Sequence, residues 1–255
     1  MIEFKLGKIM DHYKTLYEYL KSKKNKKILF LTTSNRWEGQ KELPKSSILA
    51  EKLSSKLDDV KIIDVSKLKV FPCEGNVSNH EGNGCGLKKA MLKSKEKNPH
   101  NFIRCWCSVN NASDEMYVVA NAIYEADIVV FFGSVRWGKM NSIYGQIIER
   151  LTWLENRHTT LGEDNLLKNK MAGIVAVGHN WNGEETIKLE KQVLKFFGFQ
   201  VPDELSFNYQ YTQNALDETA IGYKRDYPKF IEIFNFKKIF KEGLTRFAAW
   251  KNIND

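Results

Sequence analysis

The sequence predicts a doubly wound α/β fold around a mainly parallel sheet, and two observations carry that prediction. Three apolar runs, ILFLTT (28–33), IVVFF (128–132) and MAGIVAVG (171–178), show no alternation of polar and apolar residues. Such runs read as strands buried on both faces, the usual condition of strands in parallel sheets. Each run is followed by a polar loop and then by a segment with helical spacing, the strand–loop–helix rhythm of right-handed crossovers.

The elements follow in order. Residues 4–24 carry Ile9, Tyr13, Leu16, Tyr17 and Leu20 at helical spacing and predict a helix appended ahead of the core. The first strand (28–33) leads into a polar loop, SNRWEGQKELPK (34–45), and then a helix marked by Ile48, Leu49, Leu53 and Leu57. VKIIDV (60–65) is a second strand. Residues 66–111 read as an irregular insertion that holds every cysteine, and long insertions of this kind are usually functional. A helix over 113–125 has Ser113 placed to cap it. The third strand and its loop precede a helix over 142–154, the fourth strand precedes a helix over 185–198, and a last strand lies within 200–208. The aromatic segment 228–250, with Pro228 near its start, predicts a C-terminal helix. Five strands in the order 2-1-3-4-5 make this a flavodoxin-like arrangement. It is read as one domain over 1–255, with a core of about 27–208 and helical extensions over 1–26 and 209–255.

Composition narrows the class. With 255 residues and 42% hydrophobic residues the chain can bury a large core. No apolar stretch approaches the ~18–20 residues of a membrane span, and the N-terminus lacks the apolar region of a secretion signal, so the expectation is a cytoplasmic protein without a membrane partner. The net charge of +8 is spread over lysines along the whole chain without a nucleic-acid motif, and reads as a solvated surface that also favours anionic phosphate ligands.

Three polar loops follow three buried strands, at 33–47, 133–141 and 178–184, and in the predicted order those strands are neighbours. The loops should therefore meet at one edge, where ligands of open α/β sheets bind. The first offers Thr33, Ser34, Asn35, Arg36, Lys45, Ser46 and Ser47 at a helix N-terminus, where unpaired N–H groups and the helix dipole favour a phosphate. Neither GxxxxGK[ST] nor GxGxxG is present, so a single terminal phosphate is expected. The other loops each bring a tryptophan, Trp137 and Trp181, and conformationally permissive glycines, Gly133, Gly138, Gly178 and Gly183. A planar heteroaromatic ring needs such flat apolar neighbours with backbone groups along its edge, although each tryptophan alone could equally belong to a core or a subunit contact. Together with a phosphate loop they point to a flavin.

These segments, KILFLTTSNR with KSSILAEKL, EADIVVFFGSVRWGKMNSIYGQIIERL and AVGHNWNGEE, resemble the NAD(P)H-dependent FMN reductase family of flavodoxin-like proteins, and within it the iron–sulfur flavoproteins and multimeric flavodoxins. The resemblance spans about residues 27–208. It implies an FMN phosphate held by Ser34, Asn35, Arg36, Ser46 and Ser47. It places the isoalloxazine along Gly133, Ser134, Val135, Arg136, Trp137, Gly138, Lys139 and Met140, with its far edge bordered by Gly178, His179, Asn180 and Trp181. It further implies an enzyme that passes electrons from NADH or NADPH through FMN to a small acceptor such as a quinone, a nitro or azo compound or a flavin, working as a homodimer or homotetramer. The alternatives are an electron carrier that docks a protein partner, and a flavin-free binding protein of the same fold. Ser134 departs from the proline the family usually has there, and the loop between Arg36 and Ser46 is longer than usual.

No catalytic side chain is assigned, because the flavin carries the redox chemistry in such enzymes. No metal is assigned either. At the place of the iron–sulfur motif this chain has Cys73, Asn76, Asn79 and Cys85, and asparagine is a poor replacement for a cluster thiolate. Cys73, Cys85, Cys105 and Cys107 are read first as ordinary, partly buried cysteines, with a metal or cluster completed by Cys105 and Cys107, a redox thiol and a disulfide as the alternatives.

Overall fold

The protein is described here from a computed structural model, which covers residues 2–36, 42–178 and 181–210. Six strands form one sheet: β1 (Ile28–Thr32), β2 (Val60–Asp64), β3 (Ile128–Arg136), β4 (Lys139–Met140), β5 (Met171–Gly178) and β6 (Phe207–Gln210). The five main strands run parallel in the order β2-β1-β3-β5-β6, with the short β4 hairpinned antiparallel onto the end of β3. This is the predicted 2-1-3-4-5 order once the hairpin strand is set aside.

The unbroken apolar runs have the cause inferred for them: both faces of the sheet are covered. Leu29, Leu31, Val129, Phe131, Ala172, Ile174 and Ala176 point to one core. That core is closed by α4 (Met116–Glu125), α5 (Ser142–Arg150), α6 (Thr152–Thr159) and α7 (Gly183–Phe197). Ile28, Phe30, Ile128, Val130, Phe132, Val175 and Val177 point to the other. There α2 (Lys45–Ser54) shares the cover with α1 (Ile2–Ser22), whose Tyr13, Leu16 and Leu20 pack over β6 and the turn before it. Among the described residues, the N-terminal helix is thus one of the two helices that close this face.

Several local expectations are corrected by tertiary contacts. The predicted helix 142–154 is two helices that break at Leu151, whose N–H reaches both Ile147 and Ile148 carbonyls. The Thr152 hydroxyl also bonds back to the Glu149 carbonyl at 2.7 Å, a local competitor of helix propagation. Ser113 does not cap a helix: α4 starts at Met116 behind Glu115. The intervening acids are committed elsewhere, Asp114 to Arg150 and Glu115 to the Lys69 N–H. The last strand is shorter and later than predicted, at Phe207–Gln210, because residues 203–205 form a 3-10 turn. The segment 66–111 is irregular as expected, holding two 3-10 turns and the five-residue helix α3 (Trp106–Asn110). The predicted C-terminal helix over 228–250 lies outside the described residues.

The insertion is pinned to the helices beneath it by a buried polar network. Arg150 on α5 forms a two-pronged pair with Asp114, Nη1 to Oδ1 at 3.0 Å and Nη2 to Oδ2 at 2.7 Å, with both side chains fully buried. Ser108 accepts from Arg150 Nη2 at 2.8 Å and donates to Asp114 Oδ2 at 2.8 Å, and Arg150 Nη1 donates to the Phe71 carbonyl at 2.7 Å. Burial pushes the Asp114 carboxyl up, but hydrogen bonds from Arg150 and Ser108 and the arginine charge outweigh it and hold the group below the usual carboxylate range. Buried Asn98 ties 92 to 103 in the same way, donating to the Leu92 carbonyl and accepting from the Phe102 and Ile103 N–H groups.

Candidate functional site

The carboxyl ends of β1, β3 and β5 bring the three predicted loops to one edge, and a single side chain joins the first two. Asn141, at the N-cap position of α5, makes no capping bond to its own helix. Its Oδ1 accepts from Thr33 Oγ1 at 3.1 Å and from the Ser134 N–H at 3.2 Å, while its Nδ2 donates to the Thr33 carbonyl at 2.8 Å. Thr33 Oγ1 shares its proton with the Phe132 carbonyl at 3.2 Å. The Ser134 carbonyl in turn accepts from the Asn141 N–H at 2.9 Å. Gly133 sits inside this cluster. A Cβ on it would lie 2.5 Å from Met140 Cε and 2.8 Å from both Asn141 Oδ1 and Thr33 Oγ1, so only glycine fits.

The first loop delivers Ser34, Ser46 and Ser47 to the start of α2. All three are buried, and Ser46 Oγ donates to Ser34 Oγ at 2.9 Å. The N-cap of α2 is Pro44, which supplies no side-chain cap. The Ser47 hydroxyl is buried and has no hydrogen-bond partner among the described residues. A helix N-terminus carries a positive dipole end and free N–H groups, an arrangement that favours an anion. Asn35 and Arg36 are exposed beside it.

The second loop is a tight hairpin rather than an open loop. Arg136 pairs with Lys139 across Trp137 and Gly138, both at positive φ (50° and 72°), as a type I′ turn requires. Trp137 therefore holds a conformation that costs a bulky residue energy, and its side chain is 91% exposed. The turn is fixed from the third loop. The Gly138 carbonyl accepts from Asn182 Nδ2 at 2.6 Å and from Thr186 Oγ1 at 3.1 Å. Trp181 lies against Gly138, where a Cβ would stand 3.0 Å from Trp181 Cη2. Val135 and Met140 pair across the hairpin, Met140 buried and Val135 half-buried, whereas Arg136 and Lys139 are exposed. Gly178 ends β5 beside Val135. His179 and Asn180 lie outside the described residues.

The arrangement thus joins an anion cradle at one end to two exposed indoles at the other, through a closed set of hydrogen bonds. The residues the sequence singles out here, Ser34, Ser46, Ser47, Trp137 and Trp181, come to this edge, and Asn182 beside Trp181 holds the hairpin. Asn141 and Thr186 carry no such signal, because polar residues at the start of a helix read as caps, not as struts to another loop.

The cysteines gather where the insertion meets α3. Cys107 Sγ donates to the carbonyl of Pro72, the neighbour of Cys73, and the Trp106 indole N–H bonds to the carbonyl of Gly84, the neighbour of Cys85. All four thiols are free, and among the described residues no group of three His, Cys, Asp or Glu side chains is arranged to hold a metal ion. Burial, reinforced by the nearby Cys105 and Cys73, pushes the Cys85 thiol up to about 12; burial likewise takes Cys107 to about 11. Thiols so far from ionisation are poor nucleophiles.

The solved structures that share this architecture include two that are informative here. RosB, determined with a bound 8-demethyl-8-formylriboflavin-5′-phosphate intermediate, is 14% identical, with 82% of this chain and 75% of that chain covered and a TM-score of 0.54. The azoreductase AzrA is 16% identical, with 84% of this chain and 97% of that chain covered and a TM-score of 0.50. The fold is flavodoxin-like. No protein-family model and no curated protein matches the sequence. No helix among the described residues is long and apolar enough to cross a membrane.

Proposed function

We propose that this protein is an FMN-dependent oxidoreductase that takes electrons from NADH or NADPH and passes them to a small acceptor of the quinone, nitro, azo or flavin class. The observation that carries the reading is the partnerless, buried Ser47 hydroxyl at the uncapped start of α2. A buried hydroxyl without a partner costs stability unless something fills its site, and a phosphate would supply the missing acceptor. RosB, whose flavin intermediate carries a 5′-phosphate, has the same fold and supports the choice of ligand. AzrA, named an azoreductase, supports the choice of reaction class.

The residues present fit FMN. Ser34, Ser46, Ser47 and the first turn of α2 would hold the phosphate, with Arg36 offering charge from the rim. The hairpin from Gly133 to Met140 would run along the ring, with Trp137 and Trp181 as flat apolar neighbours and backbone groups at its edge. FMN, when bound, supplies the capacity to accept a hydride and to release electrons in one or two steps. The chain's own task is to bind, orient and shield it. The exposed Arg136 and Lys139 make the rim of the ring site cationic, which suits the phosphates of a nicotinamide nucleotide.

The test is a titration of purified protein with FMN, followed by flavin fluorescence and visible absorbance. Saturable binding is expected, and the double substitution Arg36→Ala with Ser46→Ala should weaken it by about tenfold or more, the scale of a lost charge-assisted phosphate contact. A protein that leaves added FMN free would sink the reading. Binding that ignores the double substitution would show that the phosphate lies elsewhere.

A further inference from the structure

We infer that Asn141 is a positioning residue that sets the separation between the anion cradle and the indole hairpin, so that one ligand can reach both at once. The inference rests on the flavin reading of the site. An asparagine at an N-cap normally turns its oxygen to the N–H groups of its own first turn. Asn141 does not. Its Oδ1 serves Thr33 and Ser134 and its Nδ2 serves the Thr33 carbonyl, so two of the three bonds its side chain makes run to the first loop and the third crosses the base of its own hairpin.

Its partners occupy the two critical points. Thr33 immediately precedes Ser34, the first hydroxyl of the cradle, and Ser134 opens the hairpin that carries Trp137. Asn141 is 7% exposed and Thr33 fully buried, so these bonds are shielded from water and strong enough to fix the two loops. The packing around them is tight, because Gly133 leaves no room for a side chain between Met140, Asn141 and Thr33. The bonds of the clamp all run between the protein's own groups. The clamp therefore orders the site before a ligand arrives and spares the ligand that entropic cost. Ser134 has its own part in this: its N–H is a donor to the clamp, and a proline at the same position would have none.

A clamp of this kind makes a specific, measurable demand. Contacts at the two ends of one ligand reinforce each other only while the distance between them is held. The experiment is a double-mutant cycle on FMN affinity in the full chain, with Ser46→Ala reporting on the phosphate end and Asn141→Ala on the clamp. Asn141→Ala alone should weaken FMN by about tenfold, the scale of one lost buried hydrogen-bond set. The fold-loss caused by Ser46→Ala should then shrink to about threefold or less in the Asn141→Ala background. A residue that only supports local structure would leave the two losses independent and their factors multiplicative, and that outcome overturns the inference, as does unchanged affinity in Asn141→Ala. Should Asn141→Ala not fold, Thr33→Val removes the hydroxyl from the same clamp and enters the same cycle. Wild-type protein that binds no FMN would sink the flavin reading itself, and is told apart by the first titration.

Discussion

Two buried polar regions of this molecule are built on opposite rules. Beneath the insertion, Arg150, Asp114 and Ser108 use one another and the Phe71 backbone, with carboxylate and guanidinium in full register. At the sheet edge, Ser47 has a buried hydroxyl with no partner, α2 has no cap, and Trp137 stands exposed on a strained turn. The first region is polar because it holds the chain to itself. The second leaves a hydroxyl unpaired and a helix start uncapped, which on the proposed reading a ligand phosphate would complete. Each region keeps one buried atom without a partner among the described residues, Arg150 Nε in the first and the Ser47 hydroxyl in the second. What distinguishes them is the charge pairing of the first against the uncapped helix start and the positive-φ Trp137 of the second.

The largest effect that would break this comparison belongs to the first region. Asp114→Ala leaves the Arg150 guanidinium buried without its counter-charge, and should cost about 3–5 kcal/mol in urea unfolding. The folded fraction should still take up FMN with wild-type affinity; a selective loss of binding would mean the two regions are coupled. The pair also carries a pH signature. The Asp114 carboxyl is held below its ordinary value in the folded state, so its contribution is present above that ordinary value and fades as the pH falls through the depressed one. The alanine variant should lack this acid-side slope.

A smaller effect comes from Glu190 on α7, which faces the buried Tyr144 of α5. Burial raises the Glu190 carboxyl above the usual range, with Tyr144 offsetting part of the rise. A raised acid in the folded state favours the protonated form. Stability is therefore fullest below the ordinary value and is lost as pH rises through the elevated one. Glu190→Gln should flatten the stability profile on that rise, read as unfolding midpoint against pH. An unchanged profile would show that the carboxyl ionises without cost.

The smallest stability change has the most telling sign. Trp137→Asn creates the Asn-Gly pair that type I′ turns prefer. It should leave the protein as stable as before or more so, by roughly 0.5–1 kcal/mol, while FMN binding weakens. Lost stability together with unaltered FMN affinity would make Trp137 a structural residue and remove it from the site.

Much of this was legible before any coordinates. The runs at 28–33, 128–132 and 171–178 announced strands covered on both sides, and the alternation of strand and helix fixed which strands are neighbours. That neighbour relation alone brings the serines of the first loop, the hairpin of the second and Trp181 of the third to one edge. Local signals failed where a side chain had a distant partner. Ser113 looked like a cap, yet α4 starts later because Asp114 and Glu115 answer to Arg150 and Lys69. The helix over 142–154 looked continuous, yet it breaks at Leu151.

The sequence by itself therefore determined the sheet, its order and which loops meet at its carboxyl edge, because hydrophobic burial on two faces leaves a periodic trace along the chain. Only the tertiary structure decided how the loops are held. Hydrogen bonds such as Asn141 to Thr33, 108 residues apart, and Arg150 to Asp114, 36 apart, depend on direction and distance between groups, and neither leaves a pattern in a linear string of residues.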